Sequence, residues 1–127
     1  MNLVDSSAWL EYFADGPNAA AFAPVVQDGV RLVVPTIVLL EVRRRLLQQY
    51  QRERLIDEAL ASMRRGRVVP LDFPIAMQAA ELGVRFKLPM ADSIVLATAR
   101  AWTAVVWTQD ADFDGLDSVR YLPRQPR

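Results

Sequence analysis

The sequence contains neither cysteine nor histidine, and its only lysine is Lys87. Without cysteine no disulfide framework can form, which fits a reducing compartment. Without histidine there is no Ser-His-Asp triad, no Cys-His nucleophile, no paired-histidine ribonuclease chemistry and no ordinary zinc site. The side chains left for difficult chemistry are carboxylates, hydroxyls and arginines. Carboxylates suit magnesium or manganese, which prefer oxygen ligands, so any enzyme chemistry here is expected to be metal-assisted. No apolar run reaches the roughly 18–20 residues of a membrane span. The most apolar stretch, Leu32 to Val42, is broken by Pro35 and carries Glu41. The N-terminus lacks a basic region followed by an apolar signal core, and a cytoplasmic protein without membrane association is expected.

What is present is a chain of 127 residues, 52% hydrophobic, with a formal net charge of zero. That length and composition suit one domain over residues 1–127 with one buried core. Arginines gather at Arg43, Arg44, Arg45, Arg52 and Arg54, and again at Arg64, Arg65 and Arg67. Apolar patterning and punctuation give the element order. A short strand ends at Asp5, and Ser6 or Ser7 is placed to cap the helix that follows, with Trp9, Leu10, Tyr12 and Phe13 as its apolar set. A helix over about 18–28 precedes a β-branched strand, Val30 to Val34, stopped by Pro35. A long helix from Thr36 to about Tyr50 has Val38, Leu39, Val42, Leu46 and Tyr50 on one side. A further helix covers about 53–65, with Leu55, Ile56, Ala59, Leu60 and Met63 inward. A strand from Val68 to Leu71, a helix from Pro74 to Phe86, an alanine-rich helix reaching Trp102, a strand from Ala104 to Thr108 and a short one at Val119 to Leu122 complete the chain. This alternation implies a three-layer α/β/α sandwich around a mainly parallel sheet of four to five strands.

In open parallel sheets, ligands bind beyond the carboxyl ends of the strands. Asp5 ends the first strand, Asp110 lies two residues past the fourth, and Asp92 opens a helix after the Leu88-Pro89 connector. Glu41 sits in the second turn of the helix after the second strand. Each has a purely structural role open to it. Asp5 can cap a helix, and Glu41 can pair with Arg44 or Arg45. Asp92 suits a helix N-terminus, and Asp110 with Asp112 can shape a turn. Together they point to a cation, because clustered carboxylates repel one another unless a positive charge compensates.

Four segments resemble, in order, the motifs of PIN domains. They are Asn2-Leu-Val-Asp-Ser-Ser7, the Thr36–Leu46 helix carrying Glu41, Leu88-Pro-Met-Ala-Asp92-Ser-Ile94, and Trp107-Thr-Gln-Asp110-Ala-Asp112-Phe113. Each motif alone is weak, and the ordered set spans nearly the whole chain. Length and form are most similar to VapC-type toxins of toxin–antitoxin pairs. The resemblance implies a metal-dependent endoribonuclease using Mg2+ or Mn2+. Asp5, Glu41, Asp92 and Asp110 would be its metal-binding quartet, with Asp112 able to replace or supplement Asp110 and with Ser7 and Thr108 as supporting hydroxyls. Arg44 or Arg45, on the helical face of Glu41, would meet RNA phosphate. It also implies a cognate antitoxin and a homodimer as partners. Trp9, Tyr12, Phe13, Leu39, Leu40, Leu47 and Tyr50 are divided by sequence reasoning among core, antitoxin groove and dimer face without a decision.

Three other functions compete. A receiver-type signalling domain needs an adjacent acidic pair early in the chain and a lysine after the fifth strand, neither of which is present. A phosphatase needs an Asp-x-Asp pair, whereas two serines follow Asp5. A catalytically inactive PIN-like binding module would be expected to have lost some of its acids, and all four motifs keep theirs.

Overall fold

The computed structural model describes residues 1–127. Strand β1 (Asn2–Val4) leads into helices α1 (Ser6–Phe13) and α2 (Ala19–Val26). Strand β2 (Leu32–Pro35) is followed by α3 (Thr36–Gln48) and α4 (Glu53–Met63). Strand β3 (Arg67–Val69) precedes α5 (Phe73–Phe86) and α6 (Met90–Ala101), and β4 (Val105–Thr108) and β5 (Val119–Tyr121) end the chain. The strands form one sheet in the order β3-β2-β1-β4-β5, and every pairing is parallel. The expected sandwich is therefore found, with a sheet that is wholly parallel and five-stranded. No helix is long and apolar enough to cross a membrane.

The sheet is central to a core in which Leu3, Val4, Leu32, Val33, Val34 and Val106 are fully buried. Such apolar runs without alternation are what a strand covered on both faces requires. The chain first winds from β1 out to β3, then crosses back to β4 on the other side of β1. Right-handed crossovers put α1 to α4 on one face and α5 with α6 on the other. The reversal makes the carboxyl ends of β1 and β4 the switch point where such sheets form a crevice. Register delivers Asp5 there. Val4 pairs with Trp107, and the Asp5 N–H donates to the Trp107 carbonyl at 3.1 Å.

Some boundaries differ from the sequence reading. Residues Gly29–Arg31 form a 3-10 turn, so β2 begins at Leu32, and Val30 is 91% exposed. The Arg31 N–H closes that turn on the Asp28 carbonyl, which outweighs the β-branched preference of Val30. Tyr50, expected inward, is 94% exposed, because α3 ends at Gln48 and Tyr50 takes a left-handed φ of 56°. Leu55 also faces water, while Ile56, Ala59 and Met63 are inward as expected. Strand β3 spans Arg67–Val69, leaving Leu71 outside it and exposed.

Gly66 permits β3 to lie against β2. An added Cβ would stand 2.8 Å from Val34 Cγ2 and 2.9 Å from the Leu32 carbonyl oxygen. A backbone oxygen cannot swing aside, so Gly66→Ala is expected to destabilise the fold by about 1–3 kcal/mol. Urea unfolding would register this as a lowered midpoint with an unchanged slope.

Candidate metal centre

Asp5 is buried just past the carboxyl end of β1 and caps α1, its Oδ1 accepting from the Ala8 N–H at 3.1 Å. The capping role is thus real and belongs to Asp5 itself. Ser7, one of the two expected caps, instead donates its hydroxyl to Asp5 Oδ1 at 2.6 Å. Thr108 Oγ1 donates to Asp5 Oδ2 at 2.7 Å. The same hydroxyl oxygens accept backbone N–H groups from the segment after β4. Ser7 Oγ takes Gln109 at 2.9 Å and Thr108 Oγ1 takes Asp110 at 2.9 Å. Each hydroxyl therefore clamps Asp5 and positions the Asp110 loop at once.

Asp110 caps a short 3-10 turn over Ala111–Phe113, with its Oδ1 accepting from the Asp112 N–H at 2.9 Å. The turn is anchored by the fully buried Phe113. Asp92 stands in the first turn of α6 after Pro89. One oxygen from each of Asp92, Asp110 and Asp112 lies within 4.8 Å of the others, so both acids of the fourth motif enter the cluster. Glu41 is half-buried on α3. It makes no ion pair with Arg44 or Arg45; the chain's ion pairs are Arg31–Asp28 and Arg54–Glu58. Arg44 and Arg45 themselves are exposed.

These acids lie close enough to raise one another's pKa. Burial pushes the Asp92 carboxyl up to about 8, with further contributions from the charge of Asp110, a hydrogen bond to Asp110, and the charges of Asp5 and Asp112. Burial raises Glu41 above its ordinary value, and Asp5 and Asp110 add to the rise. Burial likewise raises Asp5, opposed by its bonds from Ser7, Thr108 and Ala8 and reinforced by Asp110. No cation is among the charges acting on these three groups. A divalent ion fits this arrangement: the donors are all carboxylate oxygens, the class magnesium and manganese prefer, and they lack any positive partner.

Sequence reasoning missed Gln109 and Asn18. Gln109 is buried, and its Oε1 accepts from Asn18 Nδ2 at 2.7 Å while its backbone binds Ser7. A polar side chain between two motif residues at a strand end was the available signal. Thr108→Val should strip Asp5 Oδ2 and the Asp110 N–H of their partner at constant shape. The expected cost is about 1–3 kcal/mol of stability and about 10–100-fold in metal affinity, read by chemical denaturation and calorimetric titration.

The sequence pattern of the family described as PIN domain matches residues 3–119. No curated protein matches the chain in sequence. Among solved structures, a toxin–antitoxin complex from Klebsiella pneumoniae contains a chain with a TM-score of 0.80 and 20% identity, over 94% of this chain and 96% of that one. VapC20 of Mycobacterium tuberculosis, described as a sarcin-ricin loop cleaving toxin, gives 0.75 and 23%, over 94% and 99%. VapBC2 of Rickettsia felis, bound to a DNA fragment from its promoter, gives 0.75 and 11%, over 98% of each chain. At such identities the likeness is one of fold.

Proposed function

The chain belongs to the PIN domain family, and from that premise we propose that it is a metal-dependent endoribonuclease and the toxin of a toxin–antitoxin pair. The observation that carries this reading is the convergence of Asp5, Glu41, Asp92, Asp110 and Asp112 without a cation among them. Mg2+ or Mn2+ would be held by Asp92, Asp110 and Asp112, with Asp5 and Glu41 completing the negative field. The chemistry such an ion supplies when bound is activation of water and neutralisation of charge at the scissile phosphate.

The chain's own residues do the rest. Asp5 is fixed on both oxygens by Ser7, Ala8 and Thr108, so its charge stays in place while substrate comes and goes. Burial and the neighbouring charges of Asp110, Asp5 and Asp112 push the Asp92 carboxyl up to about 8, so a bound cation would favour its ionised form. Arg44 and Arg45, one helical turn beyond Glu41 and free of acidic partners, would take substrate phosphates through paired hydrogen bonds. RNA as substrate is supported by the fold shared with VapC20. In-line hydrolysis would leave 5′-phosphate and 3′-hydroxyl ends.

Relatives solved as toxin–antitoxin complexes support a protein partner. Its apolar segment would enter a groove of about 430 Å³ between α1, the end of α3 and α4, lined by Leu10, Tyr12, Phe13, Leu46 and Leu55. Trp9 is core, and Leu40 and Leu47 lie elsewhere, on the outer side of α3 beside Arg43 and Arg44. The reading is tested by offering antitoxin-free protein RNA and small phosphate esters side by side. Cleavage of RNA alone, with 5′-phosphate ends, supports it. Hydrolysis of the esters would instead point to a phosphatase, and inertness toward a broad RNA panel to a binding module.

A further inference from the structure

Asparagine is among the residues best suited to begin a helix, because its side-chain oxygen can accept a free N–H of the first turn. Asn18 stands at that position before α2 and makes no such bond. Its side chain is spent elsewhere. One amide hydrogen goes to Gln109 Oε1 at 2.7 Å, across 91 residues of sequence, and the other to the Pro123 carbonyl at 2.9 Å. Its own backbone N–H is held by Glu11 Oε2 at 2.8 Å, and Gly16 leaves the room in which the Glu11 carboxylate sits.

Both contacts are made by the same Asn18 atom. Because the Pro123 carbonyl can only accept, that atom is the nitrogen, and the Gln109 atom facing it is the oxygen. Gln109 Nε2 is left to face the Ser7 carbonyl at 3.5 Å. The Gln109 backbone N–H meets the Ser7 hydroxyl at 2.9 Å, and that hydroxyl holds Asp5 Oδ1. Pro123 is itself fixed on either side: the Leu122 N–H donates to the Thr108 carbonyl at 2.9 Å, and Arg127 donates to the Ala14 carbonyl at 3.2 Å. A line of hydrogen bonds therefore runs from the segment after β5, over the α1–α2 turn, to a carboxylate of the acid cluster.

We propose that Asn18 is a positioning residue for the metal centre, acting through Gln109 on the Ser7 hydroxyl and the Asp110 segment. It hydrogen-bonds to none of the five acids. Gln109 is 2% exposed and follows β4 directly, so where its side chain is held decides where the backbone turns toward Asp110. Groups that orient metal ligands from behind typically change metal affinity about 10–100-fold when lost. A helix cap would act on α2 alone, whereas this contact joins α2, the end of β4 and the segment after β5. The inference rests on the reading of the acids as a metal centre and is separate from RNA as substrate.

Asn18→Ser tests this, since serine caps a helix as well as asparagine does and is too short to bridge Gln109 and Pro123. Calorimetric titration with Mn2+ alone should show affinity about tenfold weaker than wild type in Asn18→Ser and in Gln109→Met. The double variant should bind no more weakly than Gln109→Met, because both changes break one line of contacts. In metal-free protein, amide hydrogen exchange at Gln109 and Asp110 should be about tenfold faster in Asn18→Ser, with β1 and β2 unchanged. Unchanged affinity and unchanged exchange would overturn the proposal. So would losses that add in the double variant, or exchange that rises equally in every strand, the mark of a merely structural role. A wild-type chain that takes up no Mn2+ would instead remove the metal centre itself, and this proposal with it.

Discussion

Asp92→Asn should abolish RNA cleavage and, in metal-free protein, raise the melting temperature at pH 8. On the proposed reading Asp92 would hold the ion at the reacting phosphate, and its loss would forfeit several kcal/mol of transition-state stabilisation, about 10²–10³-fold or more in rate. The stability effect has the opposite sign for a reason visible in the cluster. Asp92 moves from an ordinary value of 3.8 to about 8 on folding, through burial and the neighbouring charges of Asp110, Asp5 and Asp112. The folded chain therefore holds this proton more tightly than the unfolded chain. The stability this contributes is fully present below 3.8 and is lost as pH rises to about 8. Asparagine is neutral throughout, so the variant gains over the wild type as pH rises across that window, by on the order of a few degrees. At pH 4 the two should melt together. A variant that melts lower at pH 8 would mean that Asp92 is held by favourable contacts and that the crowding of charge is compensated some other way.

Metal affinity is the second large effect, and it should depend steeply on pH. With its carboxyl pushed up to about 8, Asp92 holds at pH 6 a proton that a bound divalent ion would displace. The apparent association constant should rise about tenfold per pH unit up to about 8 and then level off. Calorimetry at pH 6.5 in two buffers of different ionisation enthalpy would count the proton released. In Asp92→Asn both the slope and the released proton should disappear. Affinity that is flat between pH 6 and 8 would remove Asp92 from the ligand set.

The places of Asp5, Asp92 and Asp110 in the fold could be read from sequence because each stands beside an element boundary: Asp5 after β1, Asp92 after Leu88-Pro89, Asp110 after β4. Punctuation by proline and by capping residues is local, and local signals survive without coordinates. Several of the structural roles weighed against them proved compatible with the site. Asp5 caps α1 and Asp110 caps its turn while both face the cluster. Val30 and Tyr50 were misplaced because periodicity continues past the point where the backbone turns: a 3-10 turn removes Val30 from β2, and a left-handed residue ends the helix before Tyr50. Gln109 acts through a contact across the fold, reaching Asn18 at a separation of 91 residues, which no spacing rule encodes.

The most direct test of the central claim is cleavage of mixed cellular RNA by purified, antitoxin-free protein, with Mg2+, with Mn2+ and with excess chelator. Discrete cuts that appear with either metal, vanish with chelator and are absent in Asp92→Asn are the expected result. Cuts that persist in chelator, or that Asp92→Asn still makes at the wild-type rate, would contradict the assignment of the carboxylate cluster as a catalytic metal centre.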